Sequence, residues 1–160
     1  MKLSYRWRTG KHPKPNRKLL TEAMNSAAKL AGLPMNVEWE LSVDFVGDRA
    51  MAQANNDYVG HVGTTDVITF SYFDADAPVF PGDTAIELFV CTDVAAREGA
   101  SRPETDGYAG ELMLYLVHGL LHSAGEDDLT VSAAQSMRRR EQEVLNGLRQ
   151  RFDFKKIFSN

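Results

Sequence analysis

Residues 107–125, GYAGELMLYLVHGLLHSAG, constrain this chain more than any other stretch. Leu112, Met113, Leu116, Val117, Leu120 and Leu121 recur at helical spacing, which predicts a helix with an apolar stripe turned towards a core. A polar stripe runs beside it, because Glu111, Tyr115, His118 and His122 step by three or four residues. Side chains at i and i+4 lie one above the other, so the imidazoles of His118 and His122 can converge on one point. Gly125 fits the left-handed position that closes a helix. The turn behind it can carry Glu126, Asp127 or Asp128 back towards the two rings.

Two neutral imidazoles and one carboxylate form a usual ligand set for a catalytic zinc ion, whose fourth position is kept for water. HxxxH alone is also ordinary polar helix surface. The longer frame HxxxHxxGxxD, however, has the spacing of the three-ligand zinc sites of metzincin-type proteases, with Asp128 where their last histidine stands. One Zn²⁺ held by His118, His122 and Asp128 is therefore expected. The glutamate that acts as general base in HExxH enzymes is missing, since Gly119 occupies its position. Peptide hydrolysis by that route is disfavoured.

HGLLHSAGEDD, residues 118–128, closely resembles the HGxLHLxGYDH signature of the YbeY family of metal-dependent bacterial endoribonucleases. NNDYVGHVGTTDVITF, residues 55–70, is similar to the family's NxxYRGxDxPTDVLSF. IELFVCTDVAAREG, residues 86–99, resembles its GDIVIC strand and following helix, and MRRREQEVL its closing MxxxEExIL helix. The resemblance spans most of residues 40–148 in the family's order. It implies a single-strand-specific endoribonuclease acting in 3′-end maturation of 16S ribosomal RNA and in ribosome quality control. The implied partners are single-stranded or ribosomal RNA, the small ribosomal subunit and its assembly factors.

Four departures mark a divergent member. The family's final histidine ligand is Asp128 here, a change zinc accepts because carboxylate oxygen is an ordinary ligand. The arginine of the YRG segment, associated in the family with the scissile phosphate, is Val59. A cation there would stabilise charge developing on phosphoryl oxygens. His61, two residues on, is the candidate to replace it when protonated. Glu126 stands for the family's tyrosine, and Ile86 for the glycine expected before Glu87.

The chain has 160 residues, 43% hydrophobic and 25% charged, which fits one domain over 1–160 with a real core. Its one cysteine, Cys91, excludes an internal disulfide and lies in the apolar run LFVC as an expected buried, inert thiol. No apolar run approaches the ~20 residues that span a bilayer, and the basic start MKLSYRWRTGK lacks a signal peptide's apolar segment. No membrane association and a cytoplasmic location are expected.

A net charge of -4 conceals strong segregation. Residues 2–18 carry seven basic side chains and no acid, whereas residues 36–111 carry three basic and fifteen acidic ones. Arg6, Arg8, Lys11 and Lys14 in the basic segment are candidate phosphate contacts for RNA. Tyr5 and Trp7 between them can stack on bases, but their alternation marks the buried side of a strand more simply.

A coarse reading gives the scaffold. KLSYRWR is a first strand, and Asn16 caps a helix running to about Ala31 that Gly32 and Pro34 end. NVEWELSVDFVG alternates, with Val37, Trp39, Leu41, Val43 and Phe45 on one side and Glu38, Glu40, Ser42 and Asp44 on a wet side. A short helix from about Arg49 to Asn56 leads to the loop YVGHVGTT. DVITFSYF and IELFVC are strands joined by DADAPVFPGD, which reads as a mobile surface loop. Ser132 with Gln135 resembles a capping box opening the last long helix, and the phenylalanines of RFDFKKIFSN are expected to pack. The fold class expected is α+β, a small mixed β-sheet covered by helices with a zincin-like metal helix in the core.

The site is expected in a cleft between that helix and the YVGHVGTT loop. Zinc would activate a bound water or polarise a phosphoryl oxygen. Glu87, Glu111 and Asp127 are candidates for orienting the ligand imidazoles, and Asp66 for anchoring its own loop. No general base stands out. Two other readings remain at this level: a ribosome-assembly RNA-binding factor with a mainly structural metal, and a metalloprotease-like hydrolase of another substrate.

Overall fold

The computed structural model describes residues 1–73 and 80–159. Four strands form one mixed sheet: β1 (Lys2–Arg8), β2 (Glu40–Val46), β3 (Val67–Ser71) and β4 (Thr84–Cys91). Their order across the sheet is β1-β2-β4-β3. The first three in this order run parallel, and β3 pairs antiparallel at the edge. The helices are α1 (Arg17–Leu30), α2 (Asp48–Ala54), α3 (Thr92–Ala100), α4 (Gly107–Ser123), α5 (Val131–Arg149) and α6 (Phe154–Ile157). This is the α+β arrangement the sequence predicts.

Strand alternation builds the core directly. Leu41, Val43 and Phe45 of β2 and Ile86, Leu88 and Val90 of β4 point to one face and are buried, as period-two geometry requires. Helix α4 lies against that face and contacts β3, β4, α1, α3, α5 and α6. Gly119 makes the close approach possible. A Cβ there would stand 2.5 Å from Leu88 Cδ2 and 3.2 Å from the Thr69 hydroxyl. The tail closes the core, with Phe154 and Phe158 buried and Phe152 packed beside them. The Ile157 carbonyl accepts from the Asn16 backbone N–H at 2.9 Å.

Local expectations hold at some ends and shift at others. Asn16 caps α1 by accepting from the Leu19 N–H. The last long helix opens earlier than the Ser132 reading, because the Thr130 hydroxyl accepts from the Ala133 N–H at 3.0 Å and leaves Ser132 inside the first turn. Such a cap contributes about 1 kcal/mol. Strand β2 begins at Glu40 rather than Val37, and Trp39 just before it is buried with its indole N–H on the Pro34 carbonyl at 2.7 Å. The wet side of β2 is also less wet than alternation suggests. Asp44 is buried beneath Arg6, which binds both its oxygens at 2.6 Å.

Beyond α2 the helix widens into a π-helical turn, Asn55–Val59, closed by Gly60 at φ 77°. Tyr58 and Val59 therefore belong to a helical turn rather than to the loop the sequence suggests. For the connection 74–83, residues 74–79 lie outside the described residues. Phe80 to Asp83 form a turn in which the Phe80 N–H donates to the Asp83 carboxylate.

Candidate metal centre

The C-terminus of α4 carries the two histidines. Their rings stand 4.5 Å apart, nearly perpendicular, and both are half-buried. The helix ends at Ser123 with Ala124 as its cap, followed by Gly125 at φ 103°. The Gly125 N–H donates to the His122 carbonyl and the Glu126 N–H to the Leu121 carbonyl. That bond pair is a Schellman closure, and only a residue free to adopt positive φ completes it at low cost. The reversed chain brings Asp128 back over the helix end. One donor atom from each of His118, His122 and Asp128 then lies within 4.8 Å of the others. Bonds of 2.0–2.2 Å in a tetrahedron require about 3.4 Å between donors, so exposed Asp128 needs only a small adjustment to complete the set.

Glu141 completes the surroundings. It comes from α5, is only 8% exposed, and places Oε1 3.4 Å from His118 Nδ1. This leaves Nε2 as the ring nitrogen directed to an ion, the arrangement that fixes tautomer and orientation in zinc sites. Burial alone would depress the His118 pKa. Glu141, with smaller contributions from Asp66 and Asp128, outweighs it and holds the imidazole above its ordinary value.

The acids singled out for this orienting role do not reach the rings. Glu87 projects from the opposite face of the sheet and accepts from the Tyr72 hydroxyl at 2.9 Å. Glu111 is buried about two turns down α4 from His118, where Arg102 binds it at 2.9 Å. Asp127 accepts from the Leu129 N–H inside the turn. Asp66 behaves as expected, accepting from the Val67 N–H at 2.7 Å. Glu141 was reachable only through the MRRREQEVL segment, since nothing in its local spacing points to a histidine 23 residues earlier.

A cleft of about 460 Å³ opens beside the rings, lined by Asn55, Val59, His61, Thr65, Thr69 and the two histidines. His61 thus shares the cleft with the ligand set, as does Val59. Asn55, buried at the start of the π-helical turn, donates to the Gly63 carbonyl at 2.9 Å and ties the loop over the cleft. Gly119 explains why no peptidase base stands here: a side chain at that position runs into Leu88 instead of the cleft. The candidate RNA contacts lie elsewhere. Arg6 and Arg8 sit on β1, at the sheet edge opposite β3, and both reach Asp44. Lys11 pairs with Asp93 at 3.6 Å, and Lys14 is exposed. Cys91 is fully buried, and burial raises its thiol pKa, as an inert core thiol requires.

The Endoribonuclease YbeY family model matches residues 4–149. The chain belongs to this family. It is 34% identical over 139 residues to the endoribonuclease YbeY of Anaeromyxobacter sp. (strain Fw109-5), covering 85% of this chain and 68% of that protein. It is 32% identical over 140 residues to that of Geobacter sulfurreducens, covering 86% and 88%. It is 30% identical over 138 residues to that of Symbiobacterium thermophilum, covering 81% and 85%. A solution structure of a Thermotoga maritima protein superposes with a TM-score of 0.54 at 22% identity, covering 92% of each chain, and agrees in fold. Among the described residues, no helix is long and apolar enough to cross a membrane.

Proposed function

We propose that this protein is a zinc-dependent, single-strand-specific endoribonuclease that matures the 3′ end of 16S ribosomal RNA and takes part in ribosome quality control. The observation that carries this reading is the convergence of His118, His122 and Asp128 beside an open cleft, with Glu141 behind His118. Two imidazoles and a carboxylate suit zinc, and the His118–Glu141 contact is the support such a site uses. When bound, the ion supplies Lewis acidity and a water of lowered pKa.

The chain's own residues do the rest. Glu141 holds the His118 proton on Nδ1, and Asn55 fixes the loop that forms the cleft's far wall. His61, when protonated, faces the phosphate path in place of the cation that Val59 cannot supply. Substrate is single-stranded or ribosomal RNA. The small ribosomal subunit and its assembly factors are the surrounding partners, which places the protein in the cytoplasm. Lys14, with the more engaged Arg8 and Lys11, contributes phosphate contacts away from the cleft, whereas Arg6 is held on both oxygens of Asp44.

Elemental analysis of unchelated protein should return one zinc per chain. Purified protein should cut an unstructured RNA, and His118→Ala, folded by circular dichroism, should lose both metal and cleavage. Equal cleavage by that variant would end the proposal. Retained metal with no cleavage in wild type would favour an RNA-binding assembly factor.

A further inference from the structure

Across β3 from the metal cleft, the outer face of the sheet holds a second cavity of about 290 Å³. Alternation explains why the two are neighbours. Val67, Thr69 and Ser71 of β3, with Ile68 between them, line the metal cleft, while Phe70 and Tyr72 line the other cavity. The π-helical turn does the same with adjacent residues, since Val59 lines the cleft and Tyr58 the outer cavity.

The walls combine flat aromatic surface with hydrogen-bonding groups. Tyr58 stands 5.5 Å from Phe70 and 6.0 Å from Phe89, the two phenylalanines 6.1 Å from each other. Tyr58 is 63% exposed, so much of its ring is available to a ligand. Opposite lie Ser42, Glu87 and the Arg6–Asp44 pair. Arg6 is engaged with both oxygens of Asp44, and the two carboxylates outnumber the one guanidinium. A phosphate is therefore disfavoured. A carboxylate accepts at both oxygens, so Glu87 keeps capacity for a ligand N–H beyond its bond from Tyr72.

We propose that this cavity binds an unpaired, amino-bearing base of the RNA strand whose backbone occupies the metal cleft. The proposal rests on the ribonuclease reading and adds a base-recognition subsite to it. A base offers a π-face to the rings and, in cytosine or adenine, an exocyclic amine to the carboxylates. Uracil presents a carbonyl oxygen in place of that amine, turns an acceptor towards the acids at that position, and binds less well. The shared edge strand keeps a base in this cavity within reach of a backbone lying in the cleft.

The test uses metal-loaded full-length protein and cleavage-resistant 2′-O-methyl dodecamers of cytosine or uracil, with binding read by fluorescence anisotropy. Wild type should prefer the cytosine strand by about three- to tenfold. Tyr58→Ala should weaken cytosine binding by about five- to a hundredfold. Glu87→Gln, which keeps the side chain's size, should erase the preference for cytosine with a smaller loss of affinity. Both variants should keep the wild-type melting temperature. Unchanged affinity and preference in the two variants would overturn the subsite while wild-type cleavage left the ribonuclease reading standing. So would a lysine-rich peptide that binds wild type and is lost in Tyr58→Ala while RNA is not, which would make the cavity a protein contact. If wild type neither binds nor cuts any single-stranded RNA, both readings fail together, and that result is read before any variant is compared.

Discussion

Helix α4 carries one carboxylate contact near each end, and the two differ in kind. In the inner half, Glu111 is buried against Arg102, a permanent cation. At the outer end, Glu141 is also buried but faces His118, an imidazole that is charged only when protonated. The first joins its carboxylate to a guanidinium that Glu111 and Glu98 hold in the charged form, and it serves the fold. The second has a charge that is matched only when His118 holds a proton or a cation stands in its place. Burial beside a fixed cation thus closes one end of the helix, whereas beside an imidazole it leaves the other end able to take up a proton or the zinc we propose.

Removing the histidine should give the largest effect. His118→Ala is expected to abolish stoichiometric zinc and to lower RNA cleavage by more than about a thousandfold, read by elemental analysis and single-turnover assays. Arg102→Ala comes next, because it strands the Glu111 carboxylate inside the protein. Arg102 itself is half exposed, so water screens part of the loss, and a fall in Tm of about 2–4 °C is expected in a chain of this size. Retention of the wild-type Tm would mean that the two carboxylates are equivalent after all. Glu141→Gln should weaken zinc about 10- to 100-fold in a chelator competition, with a much smaller shift in the melting of chelated protein.

The smallest effect is a pH dependence. In chelated protein His118 has a raised pKa, so it contributes stability that is fully present below the unfolded histidine value, about 6.5, and is lost as pH rises through the folded value. Melting wild type and Glu141→Gln from pH 5.5 to 8 isolates this contribution. The advantage of wild type should shrink with rising pH. Bound metal requires the neutral ring and should reverse the trend.

Much of the outer end was legible because its rules are local. The four-residue step between His118 and His122, and the positive φ required at Gly125, follow from helix geometry. The sheet and its order of elements followed from alternation and turn residues. Glu141 was not legible in this way, since its role depends on how α5 packs across α4. Glu111 and Asp127 drew attention through closeness in sequence, but Arg102 and the Leu129 N–H already satisfy them. The π-helical turn was also hidden. A shift of one residue in the hydrogen-bond ladder leaves no mark in composition. At the start of α5, Thr130 and Ser132 are both good caps by type, and chain geometry chose the first.

That widened turn has a consequence for how the molecule tolerates change. Tyr58 and Val59 address two different hollows although a single peptide link separates them. Inserting one residue upstream would carry the phenol into the place of Val59 beside the cleft, and deleting one would carry the isopropyl group into the place of Tyr58 among the rings. Length here is under tighter control than identity, and a point substitution is the gentler way to alter either hollow.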